Sequence, residues 1–264
     1  MKRQIMALLA AGVLLVSLTA CRARVDLTGD PFIGGDGGST DATTATSAEE
    51  RNEMAAYAWE VYSAAIEADR TLEQYDVRFE ARRTLAGKTT RSNARLVRRV
   101  RDGAVELLAQ TDKTQGYYKD GIGYFETESD KYWHVTDEAG FLDEMGFSES
   151  VTLSMLAFTD AIVAENGDGT RTVSCVLSGK FASDYAAKIL GQSAAYIQPS
   201  HVEVGVTVGA DDLPIEFTSR VELSVPGFNA MSYESSNRYL ATGDDVTLIP
   251  PEGLDAYREG DAQG

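Results

Sequence analysis

The chain has 264 residues, with 41 acidic and 24 basic side chains and a formal net charge of −17. This acidic excess argues against a general nucleic-acid binder, because phosphate contacts need surplus Lys and Arg. With only 2 Cys and 2 His, the chain can build neither a disulfide framework nor a four-thiolate zinc site, and we predict no cofactor. A composition that is 43% hydrophobic and 25% charged is that of an ordinary globular protein.

The first twenty residues have the pattern of a secretory signal. Lys2 and Arg3 precede an apolar run from Ile5 to Val16, which is too short to span a bilayer as a helix. The run ends in Leu18-Thr19-Ala20-Cys21, which resembles the bacterial lipobox, whose Cys is acylated and becomes the new N-terminus. The alternative is a plain signal peptide with a chance Cys at this point.

We therefore predict a lipoprotein signal peptide at residues 1–20 and lipid attachment at Cys21, with palmitate among the attached acyl groups. The predicted location is the extracytoplasmic side of the cell membrane. Loss of Lys2 and Arg3 takes the formal charge from −17 to −19. Residues 21–47 then form the lipidated N-terminus and a flexible tether, because the Gly-, Ser- and Thr-rich stretch has almost no core-forming residues. Fully solvated, it reaches roughly 25–30 Å.

One amphipathic helix is predicted over residues 48–70. Ser47 and Glu50 fit a capping box, and apolar residues then recur at helical spacing. After Leu72 the period changes to two, and turn sequences separate short apolar runs. These turns are Asp102-Gly103, Asp120-Gly121, Ser129-Asp130 and Asn166 to Gly169. The pattern predicts an antiparallel meander.

The C-terminal third has the clearest alternation. Every second residue from Val202 to Val208 is Val, and the residues between them form a more polar face. Similar alternating strands are predicted at 215–225 and 230–239. A sheet built from such strands must cover its dry side, close on itself or hold something apolar there. Short helical pieces near 140–158 and 181–190 are the other candidate covers. A cavity between a barrel or half-barrel and a thin helical lid is consistent with this pattern.

The order of these elements, ending in Val246 to Glu252, resembles the lipoprotein-localisation superfamily. That group includes the Lol periplasmic carriers and mycobacterial lipid-carrying lipoproteins, and related uncharacterised lipoproteins occur in Gram-positive bacteria. The resemblance implies an α+β, mostly β fold over residues 48–255. Its strongly curved antiparallel half-barrel has an N-terminal helix and short helices covering the concave face. Residues 256–264 are predicted to be a disordered tail.

The leading functional hypothesis is a lipoprotein that binds or carries a lipid or other amphiphile between sheet and helices. The apolar residues predicted to contact acyl chains are Val204, Val206, Phe217, Val221, Leu223 and Tyr233. Nine basic residues and one acid between Arg78 and Arg101 give that segment a charge of +8 within a −27 background. Arg95, Arg98 and Arg99 are the predicted contacts of an anionic headgroup. The alternative interpretation of this basic segment is two strands with a solvent-exposed face whose basic residues pair with acidic neighbours.

A second hypothesis is a surface module that binds a protein, glycan or cell-wall polymer. Two adjacent hairpins concentrate aromatic residues, which fit either a binding platform or cross-strand packing. These are Tyr117, Tyr118, Tyr124, Phe125, Tyr132 and Trp133.

No catalytic residue is predicted, and the protein is not expected to be an enzyme. No Gly-x-Ser-x-Gly elbow is present, and His134 and His201 are the only imidazoles. Cys175 shares a strand face with Val173 and Leu177, which predicts a buried, inert thiol.

Overall fold

The computed structural model describes residues 41–42, 47–147, 151, 153–191, 193, 197–223 and 230–260. Three α-helices lie in this part of the chain: α1 (Ala48–Thr71), α2 (Glu138–Glu144) and α3 (Gly179–Ile189). The predicted signal peptide and Cys21 lie outside the described residues, as does the predicted tether except for 41–42 and Ser47.

Helix α1 begins where its sequence signal predicts. The backbone N–H of Glu50 donates to the Ser47 hydroxyl at 3.1 Å, and the Ser47 N–H donates to the Glu50 carboxylate at 2.6 Å. This reciprocal pair is the capping box, which satisfies two N–H groups that the helix itself leaves without partners. The helix then continues to Thr71, one residue beyond the predicted end.

The strands of the described residues follow in chain order. They are β1 (Asp41–Ala42), β2 (Tyr75–Leu85), β3 (Lys88–Arg101), β4 (Ala104–Thr111), β5 (Thr114–Lys119), β6 (Ile122–Thr127), β7 (Lys131–Val135), β8 (Ala161–Glu165), β9 (Arg171–Val176), β10 (Pro199–Val208), β11 (Pro214–Leu223), β12 (Met231–Thr242) and β13 (Arg258–Glu259).

All these strands join one open sheet in the order β1-β8-β9-β10-β11-β12-β2-β3-β4-β5-β6-β7-β13. Every pairing is antiparallel except that of β13 with β7. The central pairing joins β12 to β2, so the C-terminal strands lie beside the first long strand of the domain. The predicted α+β, half-barrel fold class is confirmed.

Three tight hairpins have positive φ at both central residues. Asp102-Gly103 and Asp120-Gly121 were predicted from sequence, and each Asp has φ 53°. The third is Ala86-Gly87, where Ala86 also has φ 53°. Sequence reasoning missed this turn because Ala has no side-chain group to favour a left-handed conformation.

The core is divided between two halves of the sheet's concave face. In the α1/α3 half, helices α1 and α3 pack on the inward side chains of strands β8 to β12. In the α2 half, helix α2 packs on inward side chains of β2 to β6, with Phe141 fully buried. A smaller cluster on the convex face joins Val97, Leu108 and Tyr117 to Val246 and Leu248 of the C-terminal segment.

The predicted disordered tail is wrong for residues 256–260. Tyr257 is buried, its ring lies 5.7 Å from that of Tyr124, and β13 pairs with β7 through Arg258 and Glu259. Sequence pattern missed this because a two-residue strand has no periodicity, and its order comes from contacts with a distant hairpin. Residues 261–264 lie outside the described residues.

Candidate functional site

The six residues predicted to contact acyl chains lie on one face of the sheet. Val206 pairs with Phe217 and Val221 pairs with both Val202 and Tyr233, so alternation places their side chains together. Five of the six are buried, while Leu223 is half-buried and packs against the same cluster. The structure therefore brings the predicted apolar set together.

Helices of the chain itself cover this apolar set. The Tyr62 ring of α1 lies 6.4 Å from the Phe217 ring and 5.0 Å from the Phe158 ring. Helix α3 adds buried Tyr185, Ala186 and Ile189 to the same cluster. Acyl chains would therefore compete with helical side chains for these strand positions.

The concave face becomes more polar toward its centre. Ser219 of β11 and Ser235 of β12 are buried and their hydroxyl oxygens are 2.9 Å apart, which indicates a hydrogen bond. Asn237, two residues further along β12, is also buried. A hydrogen-bonded strip thus interrupts the apolar surface between the two core clusters.

The predicted headgroup residue Arg95 is occupied by an internal ion pair. Its Nε donates to Asp76 Oδ1 at 2.9 Å and its Nη2 donates to Asp76 Oδ2 at 2.6 Å. The hydrogen bond to Asp76 raises the pKa of Arg95 further above its ordinary value. Alternation places this bidentate pair on the convex face, because neighbouring Leu96 points into the concave core.

Arg98 and Arg99 point to opposite faces, as consecutive strand residues must. Arg98 points inward, where its Nε donates to Glu138 Oε1 of α2 at 2.8 Å and a second nitrogen contacts the Glu73 carbonyl. Arg99 lies opposite Glu106 on the convex side. The three predicted headgroup contacts are therefore not brought together.

Sequence reasoning did not single out Arg83, which lies on the concave face. Arg83 has the same strand parity as Phe79 and Ala81, both of which pack inward, and it pairs with Tyr233 of β12. A signal was present in the sequence, since a regular strand starting at Tyr75 places every second residue on the same face as Phe79. We call the inward residues Arg83, Leu85, Lys88, Thr90 and Tyr233 the seam; they lie where the end of the β2–β3 hairpin adjoins β12 at the edge of the α1/α3 core.

The aromatic hairpins divide their rings between the two faces. Phe125 stacks inward between Tyr132, at 5.3 Å, and His134, at 5.0 Å. On the other face, Tyr117 lies 6.2 Å from Tyr124. Burial and the nearby Glu106 raise the pKa of Tyr117 to about 12. This arrangement is cross-strand packing. On the convex face Tyr117, Tyr124 and Trp133 are neighbours across three strands, and the Tyr257 ring lies 5.7 Å from that of Tyr124.

The cysteine and the histidine considered as catalytic groups are buried or packed against other side chains. Cys175 is fully buried, and burial raises the pKa of its thiol to about 12, so it is a poor nucleophile at neutral pH. The Nε2 atom of His134 lies 3.0 Å from Glu144, beneath the stacked rings. No group of three or more potential metal ligands occurs among the residues that the structure describes.

None of the helices in the described part of the chain combines the length and apolar character needed to cross a membrane.

Glu203 departs from the predicted wet face of β10. It is buried, with Oε1 accepting from Ser174 at 2.9 Å and Oε2 lying 2.8 Å from His201 Nε2. Burial raises the pKa of Glu203, while its hydrogen bonds and the nearby Arg220 oppose that rise. Alternation alone could not reveal this, because neighbouring strands supply the side chains that surround the carboxylate.

The sequence matches no protein-family model, and a search of curated proteins gave no match. Among solved structures, lipoprotein LppX of Mycobacterium tuberculosis is similar at 11% identity and a TM-score of 0.41, over 74% of this chain and 99% of LppX. A LolA superfamily protein from Nitrosomonas europaea is similar at 7% identity and a TM-score of 0.28, over 73% of this chain and 94% of its own.

A third similar structure is a DUF1329 family protein from Desulfovibrio piger, at 15% identity and a TM-score of 0.25, over 73% of this chain and 95% of its own. LppX and the Nitrosomonas protein bear names from the group that the sequence resembles. The strand order and the positions of the helices define the fold class of this chain.

Proposed function

We propose that the protein is a lipid-anchored extracytoplasmic lipoprotein that binds or carries a lipid or another amphiphile on its concave face. The observation that carries the proposal is the convergence of six apolar strand residues on one face whose cover consists of separate helices. Apolar side chains gain about as much from contact with acyl chains as from contact with a helix, so a bound acyl chain would restore much of the apolar burial that a displaced helical side chain gives up.

The seam supports the same proposal by providing an exposed apolar edge. Leu85 is 41% exposed, while its partner across the strands, Met231, is 9% exposed and belongs to the α1/α3 core. Half-buried Leu223 pairs with Met231 from the other side. An acyl chain that contacts Leu85 would therefore extend the existing core rather than create a separate pocket.

Native mass spectrometry tests amphiphile binding directly. The mature chain with Cys21→Ser carries no acyl group of its own and contains every residue that the structure describes. After expression in bacteria, we expect a fraction of the protein to retain a co-purifying lipid, which organic extraction and mass analysis would identify. The proposal would be contradicted by a protein that is always recovered without ligand and that does not bind a fluorescent fatty acid in a titration.

The lipid anchor requires its own experiment. In cells fed a clickable palmitate analogue, we expect label on the wild-type chain and none on Cys21→Ser. The matched control is Cys175→Ser, because Cys175 is the other cysteine of the chain and is buried. Equal labelling of wild type and Cys21→Ser would show that Cys21 is not the attachment site.

A further inference from the structure

Arg83 is a cation on the concave face with no partner in the described structure. Its Nε atom is buried and makes no hydrogen bond, and its guanidinium joins none of the ion pairs found among the described residues. By contrast, Arg95 and Arg98 of the neighbouring strand each hold a carboxylate. A buried donor without a partner destabilises the fold, and more so when the group is charged.

The described strands around Arg83 place no acidic side chain on its face of the sheet. The inward positions of β2, β3, β11 and β12 carry no Asp or Glu, although the whole chain has 41 acidic residues. The carboxylates of these strands, such as Asp76, Glu80 and Glu234, alternate to the convex side. Partial burial lowers the pKa of Arg83, and no nearby anion opposes that shift.

Other groups of the seam complement Arg83. Lys88 pairs with Leu85, so alternation places both side chains on the concave side, with Lys88 exposed at the hairpin end. Thr90 lies directly opposite Arg83 on β3, and its hydroxyl donates to the Arg83 carbonyl at 3.4 Å. Two cations and a hydroxyl therefore border the apolar edge formed by Leu85 and Met231.

We propose that the seam binds the anionic headgroup of an amphiphile, with Arg83 as the central contact and Lys88 and Thr90 beside it. This inference rests on the proposed function and specifies its ligand class: an amphiphile whose phosphate or carboxylate headgroup carries a net negative charge. The headgroup oxygens accept from the Arg83 guanidinium in a charge-assisted hydrogen bond, while the chain lies against Leu85 and Met231. Charge-assisted bonds of this kind are the stronger ones in proteins.

The experiment compares three probes on the mature chain with Cys21→Ser: fluorescent lysophosphatidylglycerol, fluorescent lysophosphatidylcholine and inorganic phosphate. Arg83→Gln removes the proposed contact. The matched control is Arg78→Gln, on the same strand but exposed and facing outward. We expect Arg83→Gln to weaken binding of the anionic lipid about tenfold and to leave the zwitterionic lipid nearly unchanged. Arg78→Gln should change neither.

Two further measurements keep the result interpretable. If Arg83→Gln fails to fold, as judged by circular dichroism, Arg83→Lys retains the charge and should keep most of the affinity. In the wild-type protein, added salt should weaken binding of the anionic lipid more than binding of the zwitterionic lipid.

The outcomes separate the two proposals. Equal binding of both lipids by wild type and Arg83→Gln would overturn the headgroup site while leaving amphiphile binding intact. Binding of neither lipid would overturn the proposed function and this inference with it. Inorganic phosphate that binds as tightly as the anionic lipid would show an anion site without an amphiphile, which also overturns the inference.

Discussion

Helices cover both halves of the concave face, but the two covers differ in length and in the ion pairs that accompany their apolar packing. In the α1/α3 half, a 24-residue helix and an 11-residue helix bury apolar side chains against five strands. In the α2 half, the helix has 7 residues, and side chains at both its ends form polar contacts with the sheet. Glu138 pairs with Arg98, and Glu144 lies within hydrogen-bonding distance of His134 and Tyr132.

The difference indicates which cover opens first. Apolar burial increases with contact area, so the long helix α1 is expensive to remove. Ion pairs and hydrogen bonds exchange with water at a smaller net cost, so the short helix α2 is the better candidate for local opening. We therefore expect polar substitutions to destabilise the α2 half more than the α1/α3 half, whereas loss of a buried ring should destabilise either half.

The largest expected effect comes from truncating one ring in each half. Tyr62→Ala and Phe141→Ala both remove buried aromatic rings and should each cost about 3–5 kcal/mol of stability. Hydrogen exchange should distinguish them: Tyr62→Ala raises exchange across the whole sheet, whereas Phe141→Ala raises it mainly in residues 75–147. Identical exchange patterns would show that the two halves unfold as one unit.

A smaller effect is expected from detaching the polar end of α2. Glu138→Gln weakens the contact with partly buried Arg98, so we expect a loss of about 1–3 kcal/mol, confined to the α2 half. Asp184→Asn is the control, because its pair with Lys180 is exposed on α3 and should contribute well under 1 kcal/mol. Chemical denaturation checks both values. Equal losses would remove the distinction between the two covers.

Glu203 provides a pH test within the α1/α3 half. Its pKa is raised in the folded protein, so its contribution to stability is present below the unfolded value of about 4.3 and is lost as pH rises through the folded value. We expect Glu203→Gln to be more stable than wild type at pH 7, by about 1 kcal/mol, and to lose that advantage at pH 4. Denaturation midpoints at both values measure this.

The control for Glu203 is Glu222→Gln, which lies on neighbouring β11 and is more exposed. It should show a smaller pH-dependent difference from wild type. An advantage of Glu203→Gln that is the same at both pH values would assign the effect to hydrogen bonding rather than to ionisation.

The smallest effect concerns the hairpin of the seam. Ala86 has φ 53°, which costs an ordinary residue about 1–2 kcal/mol, whereas Asn tolerates that conformation better. We expect Ala86→Asn to stabilise the protein by up to about 1 kcal/mol, and Asp102→Ala, at the equivalent turn position, to destabilise it similarly. Thermal unfolding of both variants measures this: the midpoint should rise for Ala86→Asn and fall for Asp102→Ala. Shifts in the same direction would show that turn conformation is not the cause.

Residue pattern alone predicted the local elements well. The capping box at Ser47, the Asp-Gly turns and the alternating Val residues of β10 each act over a few residues, so sequence neighbours contain the necessary information. The same alternation correctly placed the six apolar residues on one face. It also required that Arg98 and Arg99 diverge, and the structure separates them.

Only the tertiary structure decided which charges are paired. The basic segment is one feature in the sequence. In the structure Arg95 pairs with Asp76, Arg98 pairs with a helix residue 40 positions away, and Arg83 lies in the seam without a carboxylate. Burial of Glu203 and ordering of Tyr257 likewise depend on distant strands. Local pattern determined the elements and the face each residue occupies, because both depend on backbone periodicity. Which side chains pack or pair against each face depends on contacts between elements, and the sequence pattern does not reveal these because they join residues far apart in the chain.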